Sequence, residues 1–182
     1  MIAPPDGIDW PSGTVWAWRA DLTGPPPLLW PGLAVESGGA LTEGVRLFHD
    51  AGGDAGRLAP GTGGVAVWAS GGGYVSLAID LPLDGRKCLG ARHVVMLAGR
   101  GELRGAVPLH GRLNLRHGPD TERQQAPVEI AGGRITCGFD LAYLPIEAEI
   151  AHVWIDLILE RPGEGSLTLT DLTLSHGPRL EL

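Results

Sequence analysis

Lysine is almost missing from the chain: Lys87 stands alone against thirteen arginines. No basic cluster interrupts a formal net charge of −7 at pH 7. The electrostatic footprint of phosphate-backbone binding is therefore absent, and nucleic acid is not an expected partner. Only two cysteines occur, Cys88 and Cys137. They have no CxxC spacing and no histidine at a metal-ligand interval in the sequence, which argues against a zinc site and for free thiols. No apolar run reaches the roughly eighteen residues that a membrane-spanning helix needs, so membrane insertion is not expected. Residues Met1 to Trp10 hold neither a basic region nor an apolar stretch, and the expected compartment is the cytoplasm. Also missing are a GxSxG elbow, a Walker or dinucleotide glycine loop, and any HxH or HExxH pair among the six histidines. Gly71-Gly72-Gly73 reads as a hairpin turn rather than a phosphate loop. His110 and His117, seven apart, face opposite ways on one strand and cannot share a metal.

Glycine and proline are plentiful instead, 29 and 15 of 182 residues, spread between short apolar runs. With 43% hydrophobic and 19% charged residues, the composition is that of a globular domain with many turns and short strands. Four of the six tryptophans, Trp10, Trp16, Trp18 and Trp30, crowd into a stretch that also holds Pro25-Pro26-Pro27. Residues 1–32 are read as an irregular Trp/Pro-rich arm with one short strand around Thr14 to Arg19. The arm either packs on the domain or projects from it. Its aromatics suit capping of a core, stacking on a ligand, or docking on a protein partner.

Residues 33–182 are read as a β-sandwich. Period-two alternation or short apolar runs mark strands at Val45–His49, Val65–Trp68, Tyr74–Leu81, Arg92–Ala98, Arg112–Arg116, Ala126–Ile130, Arg134–Asp140, His152–Glu160 and Ser166–Ser175. Roughly eight to ten strands with turns between them predict an all-β antiparallel sandwich or jelly roll. Only Leu141 to Ala151 has weak helical character, and Pro145 opposes it.

The most informative strand is His152–Glu160. Val153, Ile155, Leu157 and Leu159 form an aliphatic face; His152, Trp154, Asp156, Ile158 and Glu160 form a mostly polar one. Arg112, Asn114 and Arg116 likewise share the polar face of their strand. If the two faces meet, they offer an aromatic ring for stacking on a sugar and planar donors and acceptors for its hydroxyls. The candidate ligand-binding residues are Trp154, Asp156, His152, Arg112, Asn114 and Arg116. The same face also fits ordinary solvent-exposed decoration. In Ser166–Ser175, Leu167 and Leu169 fall out of phase with Leu172 and Leu174, which predicts a β-bulge near Thr170-Asp171. Asp171 there is a candidate ligand for a hard cation such as calcium, or a partner for backbone donors at the bulge.

The stretch from Tyr74 to Pro178, with YVSLAIDLP, RHVVMLAG, RLNLRHG, HVWIDLILE and SLTLTDLTLS, resembles galactose-binding-like jelly rolls and the carbohydrate-binding modules built on them. More narrowly, RLNLRHGPDTE, FDLAYL and VWIDLILERP resemble an uncharacterised bacterial family with no assigned activity. The resemblance implies a noncatalytic domain of two antiparallel sheets with ligand on a concave face or at loops at one end. It also makes Asp171 a candidate for a structural calcium, with Glu36 and Glu43 as early acidic partners. No other cofactor is expected. The leading functional expectation is a noncatalytic module that binds a glycan. The alternative is an accessory subunit assembled with a protein partner or a second copy through the arm or a sheet edge. An enzyme is the least expected, because His152 and Asp156, four apart on one strand, sit about 13 Å from each other.

Overall fold

The computed structural model describes residues 11–20, 22, 35–50, 57–61, 64–68, 72–146, 149–163 and 165–179. In chain order its strands are β1 (Trp16–Ala20), β2 (Gly39–Thr42), β3 (Val45–His49), β4 (Arg57–Gly61), β5 (Gly64–Trp68), β6 (Tyr74–Asp80), β7 (His93–Arg104), β8 (Leu109–His117), β9 (Asp120–Pro127), β10 (Glu129–Ala131), β11 (Arg134–Asp140), β12 (Ile150–Glu160) and β13 (Ser166–Pro178). A seven-stranded sheet runs β10-β11-β7-β13-β5-β4, with β1 also on β13; a six-stranded sheet runs β2-β3-β6-β12-β8-β9. Every pairing described is antiparallel. The inward residues of both sheets form one core, and the expected antiparallel β-sandwich of jelly-roll type is the observed fold.

Strand β13 organises the first sheet. One edge pairs with β7 along nearly its whole length; the other is shared, β5 taking Ser166 to Leu169 and β1 taking Leu172 to His176. The register with β7 shifts between Leu169 and Asp171, so the bulge lies where the leucine phasing predicts it. Leu167, Leu169, Leu172 and Leu174 are all buried as a result. The partner strand accommodates the bulge with glycine: a Cβ at Gly99 would sit 2.5 Å from the Asp171 carbonyl oxygen, and one at Gly101 would run into that of Thr168.

Several local readings change. Thirteen strands are present among the described residues, more than the expected eight to ten. Ala126–Ile130 is not one strand. Pro127 has no N–H to continue the ladder, and the chain leaves β9 in one sheet to enter β10 in the other. The expected helical stretch yields only a 3-10 turn at Leu141–Tyr143, begun by Asp140, whose carboxylate accepts from the Ala142 N–H at 3.0 Å. The α-helix lies elsewhere, at α1 (Leu83–Lys87), with Asp84 in its first turn and Arg86 and Lys87 in its last, matching the helix dipole. Within the arm, Trp16–Ala20 forms β1, and Trp16 and Trp18 pack against the core; Trp10, Trp30 and Pro25-Pro26-Pro27 lie outside the described residues. Among the described residues, no helix is long and apolar enough to cross a membrane.

Gly111 of β8 faces Cys137 and Phe139 of β11 in the opposite sheet at close range. A Cβ on Gly111 would collide with Cys137 Sγ and lie 3.0 Å from Phe139 Cζ. Overpacking of this kind costs about 1–3 kcal/mol, so Gly111→Ala is expected to lower the unfolding free energy by that amount. Adding Cys137→Ala to the same chain should recover part of the loss, as a double-mutant cycle in denaturant would measure. Both cysteines are free, Cys88 exposed and Cys137 buried. Burial pushes the Cys137 thiol up to about 11, and the thiolate is the reactive form. A neutral alkylating reagent near neutral pH is therefore expected to modify Cys88 alone in the native protein and both cysteines in denaturant, read by mass spectrometry.

Candidate functional site

The aliphatic side of β12 is wholly inside: Val153, Ile155, Leu157 and Leu159 are each at most 1% exposed. Alternation then obliges His152, Trp154, Asp156, Ile158 and Glu160 onto the outer face of the six-stranded sheet. Pairing supplies their neighbours. Trp154 lies between Asp80 and Asn114, Asp156 between Ala78 and Arg112, Ile158 between Ser76 and His110, and Tyr74 stands beside Glu160. Phe48 of β3 extends the Ser76 row, and Gln125 of β9 extends the Arg112 row. The resulting cleft has a volume of about 780 Å³, with Trp154, Arg112, Tyr74 and Phe48 among its walls. The expectation that β8 and β12 share a polar face is met in the fold.

Asp156 is the buried centre of this face. Its Oδ2 accepts from Arg112 Nη2 at 2.8 Å and Nε at 3.2 Å, and from Asn114 Nδ2 at 2.9 Å; Ser76 Oγ donates to Oδ1 over a longer 3.4 Å. A carboxylate placed out of water needs this many donors to offset its desolvation. Arg112 keeps its outer edge in the cleft, and no partner for its Nη1 stands among the described residues. Asp156 therefore acts by aiming Arg112 and holding Asn114 rather than by reaching outward. Trp154 has its own support: His152 stacks on the indole with ring centroids 4.9 Å apart, and His152 Nε2 contacts Asp80 Oδ1 at 3.0 Å. The indole N–H of Trp154 has no partner among the described residues.

The six candidate residues thus separate into distinct places. Trp154, Asp156 and Arg112 line the cleft, Asn114 is buried beneath it, and His152 braces Trp154. Arg116 lies across from His152 on β8 and is exposed outside the cleft. Asp171 is far from this arrangement in the fold, on β13 of the other sheet. It is buried, and its Oδ1 accepts from Arg19 Nε at 2.9 Å. A guanidinium on the carboxylate, exposed Glu36 and Glu43, and no group of three or more His, Cys, Asp or Glu side chains suited to an ion among the described residues do not fit a calcium site there.

A model of a protein family of unknown function, DUF6478, matches residues 3–182. The chain belongs to this family. No curated protein matches the sequence of this DUF6478 chain significantly. Among solved structures, it is similar to a xylan-binding module, CBM15, at 13% identity and a TM-score of 0.49, covering 92% of this chain and 100% of that one. It is similar also to TmCBM27, a carbohydrate-binding module studied for mannan recognition, at 11% identity and a TM-score of 0.46, covering 91% and 99%. A third is a Stig cyclase from Fischerella sp. TAU in complex with a pyrrolidinylidene-indole, at 20% identity and a TM-score of 0.42, covering 93% of each.

Other walls of the cleft escape the sequence reading: Phe48, Asp50, Tyr74, His110 and Arg161. Tyr74 and Ser76 share the outward phase of β6, but alternation does not say that β6 lies beside β12. Arg161 sits at the lip with a left-handed backbone, φ 46°, its N–H donating to the Gly73 carbonyl at 2.8 Å. A non-glycine residue in that region carries strain of about 1–2 kcal/mol. Removing Arg112 leaves the buried Asp156 carboxylate without its cation, whereas removing Asp156 leaves a half-exposed guanidinium that water can solvate. Arg112→Ala is accordingly expected to destabilise the chain more than Asp156→Ala, with losses of about 3 and 1–2 kcal/mol respectively, measured by urea denaturation.

Proposed function

We propose that this chain is a noncatalytic binding module that takes a glycan in the cleft on the six-stranded sheet. One observation carries the reading: a half-buried tryptophan, held in place by His152, lines an open cleft beside an arginine whose donor edge is fixed by a buried carboxylate. Sugars present an apolar face to a ring and hydroxyls to planar donors at the same time, and the cleft answers both needs on a rigid sheet. Tyr74 and Phe48 add aromatic surface toward its other end. The groups that resemble a catalytic acid and base are engaged elsewhere, Asp156 with Arg112 and Asn114, His152 with Asp80. A binding role leaves these contacts intact. Affinity at so open a site is expected to be modest.

The test is a glycan array on the purified chain, followed by titration calorimetry of any hit with wild type and with a folded Trp154→Ala variant. Binding that weakens about tenfold or more in the variant is expected, the size of one lost stacking contact. Silence across a broad array, or a hit indifferent to Trp154, would overturn the reading.

A further inference from the structure

At one end of the core, three side chains share the inner face of the seven-stranded sheet: Trp16 on β1, His176 on β13 and His93 on β7. Trp16 and His176 are register partners, and their rings stack with centroids 5.4 Å apart at 20°. His93 Nδ1 lies 3.0 Å from His176 Nδ1. Helix α1 closes over them: His176 Nε2 lies 2.9 Å from the Gly85 carbonyl oxygen, and Trp16 Nε1 donates to Asp84 Oδ2 at 3.1 Å. Gly85 is pressed against the indole so closely that a Cβ would lie 2.5 Å from Trp16 Cε2.

Proton positions follow from the partners. A carbonyl can only accept, so His176 Nε2 carries a hydrogen and the neutral ring presents a lone pair at Nδ1. His93 Nδ1 must then be the donor. His176 is neutral in this arrangement and 1% exposed. A first proton on His93 Nε2 leaves this hydrogen bond in place, whereas one added to His176 Nδ1 meets the N–H of His93. A second proton leaves two cations with N–H facing N–H.

Among the described residues, the surroundings offer little compensation. From α1 and the turn after it come Asp84, already engaged by Trp16, and the Cys88 thiol, 3.7 Å from His176 Nε2; from β1 comes only the Trp16 ring. At the end of β13, Arg179 turns to Asp140 and Tyr143, while Arg86 is bound to the Ala151 carbonyl. The indole face favours a cation, and the Gly85 carbonyl favours one on His176, but burial acts more strongly: it holds both imidazoles below the usual histidine range, with the neighbouring His93 adding a smaller effect on His176.

We propose that the His93–His176 pair is an acid-sensitive latch: with His176 neutral, it ties α1 and the N-terminal strand to the end of the core, and proton uptake by His176 releases them. The sign follows from linkage. An open or unfolded state titrates near 6.5, above the closed state, so the latch is fully shut above that value and weakens as pH falls below it. Helix α1 is also a wall of a second cleft of about 770 Å³, formed with Leu89, Ile146 and Ile150, so release reshapes that cleft.

Hydrogen exchange on the full chain, expressed as protection factors from about pH 7.5 down to about pH 5, tests the latch. Protection over residues 14–20 and 83–92 is expected to fall about tenfold or more while β6, β8 and β12 stay protected. In His93→Asn the amide donates to His176 at neutral pH and, flipped, accepts from the protonated ring. Opening should therefore move to lower pH by about one unit, one unit of pKa being tenfold in the equilibrium. Unchanged protection in the wild type across the range, or opening of the variant at the wild-type pH, would sink the latch. Imidazole nitrogen NMR of the wild type reads the same event without a substitution: His176 should take up its proton together with the loss of α1 protection, and titration of His176 with α1 still protected counts against it.

Discussion

A strand can bury only every second residue, and β13 needs to bury leucines in two opposite phases. The bulge at Thr170 resolves that conflict, and much of the first sheet depends on it. Before the bulge, Leu167 and Leu169 enter the core and the free edge takes β5; after it, Leu172, Leu174 and His176 enter the core and the edge takes β1. Gly99 and Gly101 on β7 are the complement, since any side chain there would meet the displaced carbonyls of β13. Asp171, turned away from the core by the same shift, is buried against Arg19 of β1, so the ion pair joins the N-terminal strand to the bulge that made room for it.

The second sheet separates its tasks by face. Each fully buried aliphatic side chain of β12 contributes about 1.5–3 kcal/mol of transfer free energy, enough to hold the strand rigid despite the polar network on its other side. That rigidity matters because a buried carboxylate is tolerable only with its donors in place. Asp156, Arg112, Asn114 and Ser76 come from three adjacent strands, and a slip of any strand by one residue would send the network inward and the aliphatic residues outward. Trp154 and the outer edge of Arg112 are braced by His152 and by the buried Asp156.

The end of the core under α1 is built on different chemistry. There two imidazoles and an indole take positions that leucines fill elsewhere, and hydrogen bonding to a backbone carbonyl and a carboxylate replaces part of the apolar packing. Such a closure is sensitive to protons in a way that the aliphatic interior is not, because burying a charge costs far more than burying a neutral ring.

Local pattern in the chain was sufficient for the elements whose alternation is strict. The two faces of β12, the polar face of β8, the ends of β3 and β11, and the bulge in β13 all follow from which side chains avoid water, a property each short segment carries by itself. Trp154, Asp156, Arg112 and Asn114 are legible as a group for that reason. Where propensity was weak or mixed the pattern misleads: α1, five residues with a glycine among them, carries no helical signal, and Pro127 divides a stretch that looks continuous. Tertiary structure alone decided which strands are neighbours, and so placed Phe48, Tyr74 and Ser76 beside Trp154 and Asp156. It likewise brought Trp16, His93 and His176 together and spent Asp171 on Arg19. Strand order depends on pairings between segments far apart in the chain, whose energies come from a shared core rather than from any local sequence period.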